Sequence, residues 1–208
     1  MKIARFIKAL CAFMVIFLAA CTVTPVVEMS PDALEDAWSD RNMRLMAMDA
    51  WRLQGRVAVS NEHDSWSASL LWRESDHSQE VRVVAPLGQG TAVVRREEHG
   101  LAELQLSNGE VFVGESASEL LHQQLGWYLP VESLAYWIKG VPDPNYVSSW
   151  ALNRQGGLSH LTQAGWQVEY KRYRHSELFD GDLPSKLFLT RDDWKVKLIV
   201  QNWQDFEK

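Results

Sequence analysis

From Trp51 onward the hydrophobic positions recur at every second residue: Trp51, Leu53, Val57 and Val59, then Trp66, Ala68, Leu70 and Trp72, then Val81, Val83 and Ala85. Polar residues fill the alternate positions and Gly, Asn, Asp or Ser mark the breaks, so each run predicts a half-buried antiparallel strand. Leu104 and Leu106 lead through Ser107-Asn108-Gly109-Glu110 to Val111 and Val113; Asn-Gly between alternating runs predicts a tight hairpin. Strand character returns over 150–154, 158–163, 166–173, 185–190 and 194–203, with Asp192-Asp193 at the last turn. The pattern predicts about eleven strands.

Helical spacing appears in two places. Ser30-Pro31-Asp32 supplies an N-cap, a proline at the first helical position and an early acid, and Leu34, Ala37, Trp38, Leu45 and Met48 form a broad stripe behind it. Residues 118–125 and 132–139 predict two short helices, ended by Gly126 and Gly140 and separated at Pro130. Short strands joined by turns, without strand–helix alternation, favour a sandwich or barrel over a parallel sheet.

The front of the chain has a different character. Lys2, Arg5 and Lys8 precede an uncharged apolar run from Ala9 to Ala20, shorter than the ~20 residues a membrane-spanning helix needs, so residues 1–20 read as a secretory signal. It ends in Leu18-Ala19-Ala20-Cys21, which resembles the bacterial lipobox, where small residues admit the signal peptidase and the cysteine carries the lipid. Cys11 would leave with the signal, so Cys21 would have no intramolecular disulfide partner. Cys21 is therefore the expected lipidation site, residues 21–29 a lipidated tether and 30–208 a single domain. Acyl chains at ~0.8 kcal/mol per buried methylene would hold such a protein on a membrane without a transmembrane helix.

The 208 residues carry 21 Lys+Arg against 27 Asp+Glu, a formal charge of −6. That balance lacks the basic excess of a general nucleic-acid binder but leaves room for a local basic patch. The six His, at 63, 77, 99, 122, 160 and 175, fall on different elements without the spacing that puts two metal ligands on one face. No Gly-x-Ser-x-Gly elbow, P-loop or dinucleotide fingerprint occurs. His63-Asp64-Ser65 fits a polar hairpin turn, since a triad is assembled in space and not by adjacency. Glu97-Glu98 and Asp192-Asp193 fit solvated turns. The expectation is neither enzyme, cofactor nor metal.

The ten Trp are more informative. Trp51, Trp66, Trp72, Trp166 and Trp194 start or line strands and Trp137 lies on a short helix, which suits either a filled sandwich or a sheet curled around an apolar hollow with helices across its mouth. Inward strand phases and the helical cover nominate Leu70, Trp72, Val83, Trp137, Trp166, Val168 and Leu198 as the lining of such a cavity. For Ala85-Pro86-Leu87-Gly88-Gln89-Gly90, the Pro and Gly residues predict a turn, and on composition alone Leu87 folds back onto the core.

The lipobox Cys21, the run Trp51-Arg52-Leu53-Gln54-Gly55-Arg56-Val57-Ala58-Val59, Leu71-Trp72, Ala85-Pro86-Leu87-Gly88, Leu129-Pro130-Val131, Trp137-Ile138-Lys139-Gly140 and Gly165-Trp166-Gln167-Val168-Glu169-Tyr170 stand in that order. Taken together they resemble the LolB family of outer-membrane lipoprotein receptors over nearly the whole chain. The resemblance implies an unclosed antiparallel β-barrel of about eleven strands, with an N-terminal helix and short lid helices enclosing an apolar cavity. It further implies a monomer, anchored through Cys21 to the inner leaflet of the outer membrane. Its partners would be the periplasmic carrier LolA, acylated lipoprotein cargo and outer-membrane lipid. In that context Thr22 fits, because Asp after the lipidated cysteine is a common inner-membrane retention signal, and Leu87 becomes the apolar tip of a membrane-facing loop. Two alternatives stand beside it: an envelope lipoprotein that stores another hydrophobic ligand, and a purely structural one.

Overall fold

The computed structural model describes residues 29–86, 90–97 and 100–206. Cys21, the signal segment and Leu87 lie outside the described residues. Helix α1 (Pro31–Met46) leads into β1 (Trp51–Ser60), β2 (Ser65–Glu74), β3 (Ser78–Val84), β4 (Thr91–Glu97), β5 (Ala102–Leu106) and β6 (Val111–Gly114). Two short helices follow, α2 (Ala117–Leu125) and α3 (Val131–Trp137). The chain ends with β7 (Ser148–Leu152), β8 (Leu158–Gln163), β9 (Trp166–Ser176), β10 (Gly181–Arg191) and β11 (Trp194–Gln204).

All eleven strands form one sheet in the order β6-β5-β4-β3-β2-β1-β11-β10-β9-β8-β7. The first and last strands pair at its centre, every neighbouring pair described is antiparallel, and β6 and β7 remain as edges, so the barrel is unclosed. The chain that connects the two edges carries α2 and α3. Hairpins β1–β2, β3–β4, β5–β6, β8–β9 and β10–β11 gather at one rim, called here the front. The turns β2–β3, β7–β8 and β9–β10, with the start of β1, lie at the back rim.

Alternation produces the apolar interior directly. Leu187, Leu198, Val57 and Ala68 make one cross-strand row and Leu70 faces Val83 in the next, all buried. Each large aliphatic side chain so buried contributes ~1.5–3 kcal/mol. Gly55 belongs to the inward phase for a different reason: a register shift brings β11 so close that a Cβ there would collide with the Ile199 carbonyl oxygen. Helix α1 closes the β7–β10 end, burying Trp38 and Leu45. Its Trp38 ring lies 5.3 Å from Trp150 of β7, Arg41 donates to the Asp182 carbonyl, and the Arg44 guanidinium sits 4.4 Å over the Phe179 ring.

Several elements depart from the expected bounds or phase; β9, for one, runs on to Ser176 and α3 stops at Trp137. In β6, Val111 and Val113 face outward at 50% and 59% exposure while Phe112 turns in opposite Leu104. Strand β7 begins two residues earlier than expected and stops at Leu152, because the Asn153 side chain accepts from the Gln155 and Gly157 backbone N–H groups and turns the chain. Strand β10 starts at Gly181 and runs through Pro184, whose missing N–H is absorbed by an irregular register against β9. The His63-Asp64-Ser65 segment is a turn held by Asn61 Oδ1, which accepts from the His63 and Asp64 backbone N–H groups.

Candidate functional site: the apolar interior and its helical cover

Leu70 and Trp72 of β2, Val83 of β3, Trp166 and Val168 of β9, Leu198 of β11 and Trp137 of α3 all belong to one apolar cluster and are at most 4% exposed. The structure thus brings the seven together in the interior between sheet and cover. With so little of any of them reached by water, an acyl chain gains room only when the cover or neighbouring side chains shift.

The cover is fastened most firmly at α3. The Trp137 indole N–H donates to Gln163 Oε1 at 2.7 Å and the Asp143 backbone N–H donates to the same oxygen at 2.8 Å. Gln163 Nε2 donates to the carbonyls of Asp143 and Tyr146, both at 2.8 Å. Asp143 in turn accepts from Ser133 Oγ at 2.7 Å and from the Asn145 backbone and side chain at 2.9 Å. Beneath the helix, Tyr170 donates to the Trp137 carbonyl at 3.0 Å; burial raises its phenol well above the ordinary range and keeps it a neutral donor. At the foot of α3 the buried Lys139 ammonium donates to the Met48 carbonyl at 2.9 Å. Burial pushes Lys139 down and nearby Glu74 up, Glu74 accepting from Gln79 and from the Trp72 indole. A pocket of about 290 Å3 at this back rim is bordered by Met48, Trp51, Glu74, Tyr136 and Lys139.

Helix α2 is tied to α3 at their N-terminal ends. Glu132 accepts from Ser116 Oγ and from the Ser118 backbone and hydroxyl, while the Val131 N–H donates to Ser118 Oγ. Between the helices, Gly126 takes a left-handed conformation, φ 69°, and ends α2. Residues 126–130 then cross the front rim. Trp127 stacks on Trp66 with ring centroids 3.8 Å apart. Tyr128 lies 6.3 Å from Trp166 and 6.1 Å from Trp194, with the Arg191 guanidinium 5.1 Å over its ring. A cleft of about 540 Å3 opens beside this loop, bordered by Tyr128, Leu129, Tyr146, Trp166 and Arg191. Trp166 therefore joins the interior to the front-rim cleft, whereas Trp72 borders a groove with Arg52 and Arg73.

Gln163 and the Trp127-Tyr128 pair were not among the sequence candidates. Gln163 does carry a signal: it is in phase with inward Leu161, and a polar residue on an inward phase requires a buried partner. Trp127 and Tyr128 fall outside any period, and their ring partners are supplied by distant hairpins. Among the described residues, no three His, Cys, Asp or Glu side chains gather as a metal site requires, and no helix is long and apolar enough to cross a membrane.

This sheet-and-cover body coincides with a known family. The profile of the outer membrane lipoprotein LolB family matches residues 49–203, from just before β1 nearly to the end of β11. The chain belongs to the LolB family. It is 32% identical over 204 residues to the outer-membrane lipoprotein LolB of Pseudomonas paraeruginosa, spanning 98% of this chain and 97% of that one. The LolB of Nitrosococcus oceani is 34% identical over 191 residues, covering 91% and 92% of the two chains. A solved LolA superfamily protein from Nitrosomonas europaea shares the fold, with a TM-score of 0.55 at 7% identity over 82% of this chain and 92% of that chain. Family membership places the protein among outer-membrane lipoproteins and accounts for the ordered motifs.

Proposed function

We propose that this protein is the outer-membrane receptor that accepts lipoproteins from the periplasmic carrier LolA and inserts them into the inner leaflet of the outer membrane. The observation that carries the reading is the apolar interior, roofed by helices and meeting a front-rim cleft at Trp166, in a chain of the LolB family. Such an interior suits acyl chains, which expose apolar surface in water at a cost of ~25 cal/mol per Å2 and must be handed over under cover. The work is differential affinity: the receptor holds the chains better than the carrier, and the bilayer holds them better still. No bond is made or broken, so the protein acts as a binding device and not as an enzyme. Residues 126–130 move aside to open the front-rim cleft, and Leu70, Trp72, Val83, Trp137, Trp166, Val168 and Leu198 receive the chains.

In this reading residues 1–20 are removed, Cys21 carries the lipid, residues 21–29 tether the monomeric domain, and the inner leaflet is its site. Pro86 and Gly90, which flank the Leu87 segment in sequence, are on the front rim, the rim that also holds the cleft. One inserted Leu adds ~1.5–3 kcal/mol, too little to anchor the protein but enough to turn the cleft of a tethered barrel toward the bilayer. The test is to mix carrier loaded with labelled lipoprotein and this protein without nucleotide, then add liposomes. A receptor takes the label and passes it on; Leu87→Glu keeps uptake and slows release. A storage lipoprotein would not pass acylated protein to liposomes, and a structural one would take up none.

A further inference from the structure

The outward face of the sheet carries a charge pattern that the interior does not explain. Strand register sets three cross-strand rows on that face toward the front rim: Lys186, Ile199, Arg56 and Ser69; then Phe188, Lys197, Ala58 and Ser67; then Thr190, Lys195, Ser60 and Ser65. Across these four strands every row holds at least one cation and none holds a carboxylate; on β9 the second row continues to Glu169, which is paired with Lys171, and the first to Arg172. Nearer the back rim the same face is neutralised: Glu80 lies 4.0 Å from Arg73 and 2.9 Å from Arg95, which is 3.9 Å from Glu103. In a chain of formal charge −6 the unmatched cluster is a local arrangement and not a consequence of composition.

The cluster also has a shape. A groove of about 480 Å3 runs between Arg56 and Lys197, with Ser67 and Ser69 on its side, Ile199 in its floor and Pro86 at its upper end, where the chain leaves β3 for the front rim. Arg56 and Lys197 are diagonal neighbours on adjacent strands, two residues out of step and ~7–8 Å apart, so their long side chains can meet one anion from two sides. Arg56 has neither ion pair nor hydrogen bond to another side chain among the described residues, while Lys197 and Lys186 lie 6.0 and 5.2 Å from the Phe188 ring. Two cations, two hydroxyl donors and an apolar floor match a phosphodiester carried on a glycerol.

We propose that this outward face of β10, β11, β1 and β2 docks on anionic phospholipid headgroups, with Arg56 and Lys197 sharing a lipid phosphate. The proposal rests on the receptor reading, which brings the front rim to a bilayer. A phosphate-bearing surface is the occupant the pattern fits best, because the cations spread over adjacent strands as a shallow array at the rim that would meet it, and attraction of that kind falls off within a Debye length.

The test uses the full chain, purified from membranes and reconstituted into vesicles containing headgroup spin-labelled lipid. The lipid is phosphatidylcholine alone or with a quarter of phosphatidylglycerol. A fluorophore is placed at Ser67→Cys or, as control, at Glu177→Cys in the back-rim turn. The Ser67 probe should be quenched about twofold more in the anionic vesicles, and about 0.5 M salt should remove the excess by screening. The excess should also vanish in Arg56→Gln/Lys197→Gln, and the Glu177 probe should not respond to lipid charge. Equal quenching in both lipids, or an excess that survives the double substitution, would overturn the proposal. So would a double variant that loses uptake from the loaded carrier while its quenching is unchanged, since the face would then serve the carrier. Uptake by the unsubstituted protein is measured in parallel: its absence tells against the receptor reading, while the quenching still decides this one.

Discussion

At the α3 end of the cover, the Gln163 carboxamide fills all four of its hydrogen-bonding positions, two accepted and two donated, at 2% exposure. At the loop end, Trp127 and Tyr128 lie against Trp66, Trp166 and Trp194 by their ring faces, with no side-chain hydrogen bond among the described residues. Buried directional bonds are costly to break because every orphaned group bears its desolvation penalty. Stacked rings can slide and separate gradually. The contrast assigns the two ends different duties: α3 fixes the position of the cover over β8 and β9, and residues 126–130 are the part that can lift.

The largest effect should come from breaking the fixed end. Gln163→Leu fills the same space but takes the partner from the Trp137 indole N–H, the Asp143 N–H and the Tyr146 carbonyl, while the Asp143 carbonyl keeps only the Tyr146 N–H at 3.3 Å. The expected loss is about 3–5 kcal/mol in urea unfolding followed by Trp fluorescence, from penalties of ~1–3 kcal/mol per orphaned group, partly relieved by relaxation. Trp127→Ala should cost less, about 1–2 kcal/mol for a half-buried stacked ring, and it should speed uptake of cargo from loaded carrier. If Trp127→Ala costs as much stability as Gln163→Leu, or slows uptake, the division of duties fails.

Tyr170→Phe sharpens the same contrast at smaller scale. It removes one buried hydroxyl from the Trp137 carbonyl while keeping the ring, so about 1 kcal/mol should be lost. Uptake should not change, because the loop end is untouched. A faster uptake would mean that α3 itself moves.

These particulars also mark what the sequence discloses. The central strands are legible because hydrophobic and polar positions alternate cleanly: Leu53, Val57 and Val59 turn inward and Arg56 and Ser60 do not. In β6 the run Val111-Phe112-Val113 is apolar on both phases, so alternation cannot choose a face, and the Phe112–Leu104 pairing does. The Pro184 extension of β10 was hidden because a proline ordinarily ends a strand, and here an irregular register absorbs it. The burial of Leu70, Trp72, Val83, Trp166, Val168 and Leu198 followed from strand phase, and that of Trp137 from the helical cover. The fastening of the cover did not, since Gln163 meets Trp137 and Tyr128 meets Trp194 across distant segments that no local period connects.

The smallest effect concerns the charged pair at the foot of α3. Burial raises the Glu74 pKa, so the folded state keeps this proton to a higher pH than the unfolded chain, whose value is near 4.5. Stability should therefore fall as pH rises from about 4.5 through the folded value and then level off. Lys139 is lowered by burial from 10.5, so the folded state releases that proton first, and stability should rise with pH between its folded value and 10.5. Glu74→Gln should flatten the acid-side fall and leave the alkaline rise, whereas Lys139→Gln should do the reverse. Urea midpoints between about pH 4 and pH 10 measure both. Parallel curves for the two variants and the unsubstituted protein would mean that neither group is desolvated at the α3 foot. The contrast with the loop would then rest on the Gln163 network alone.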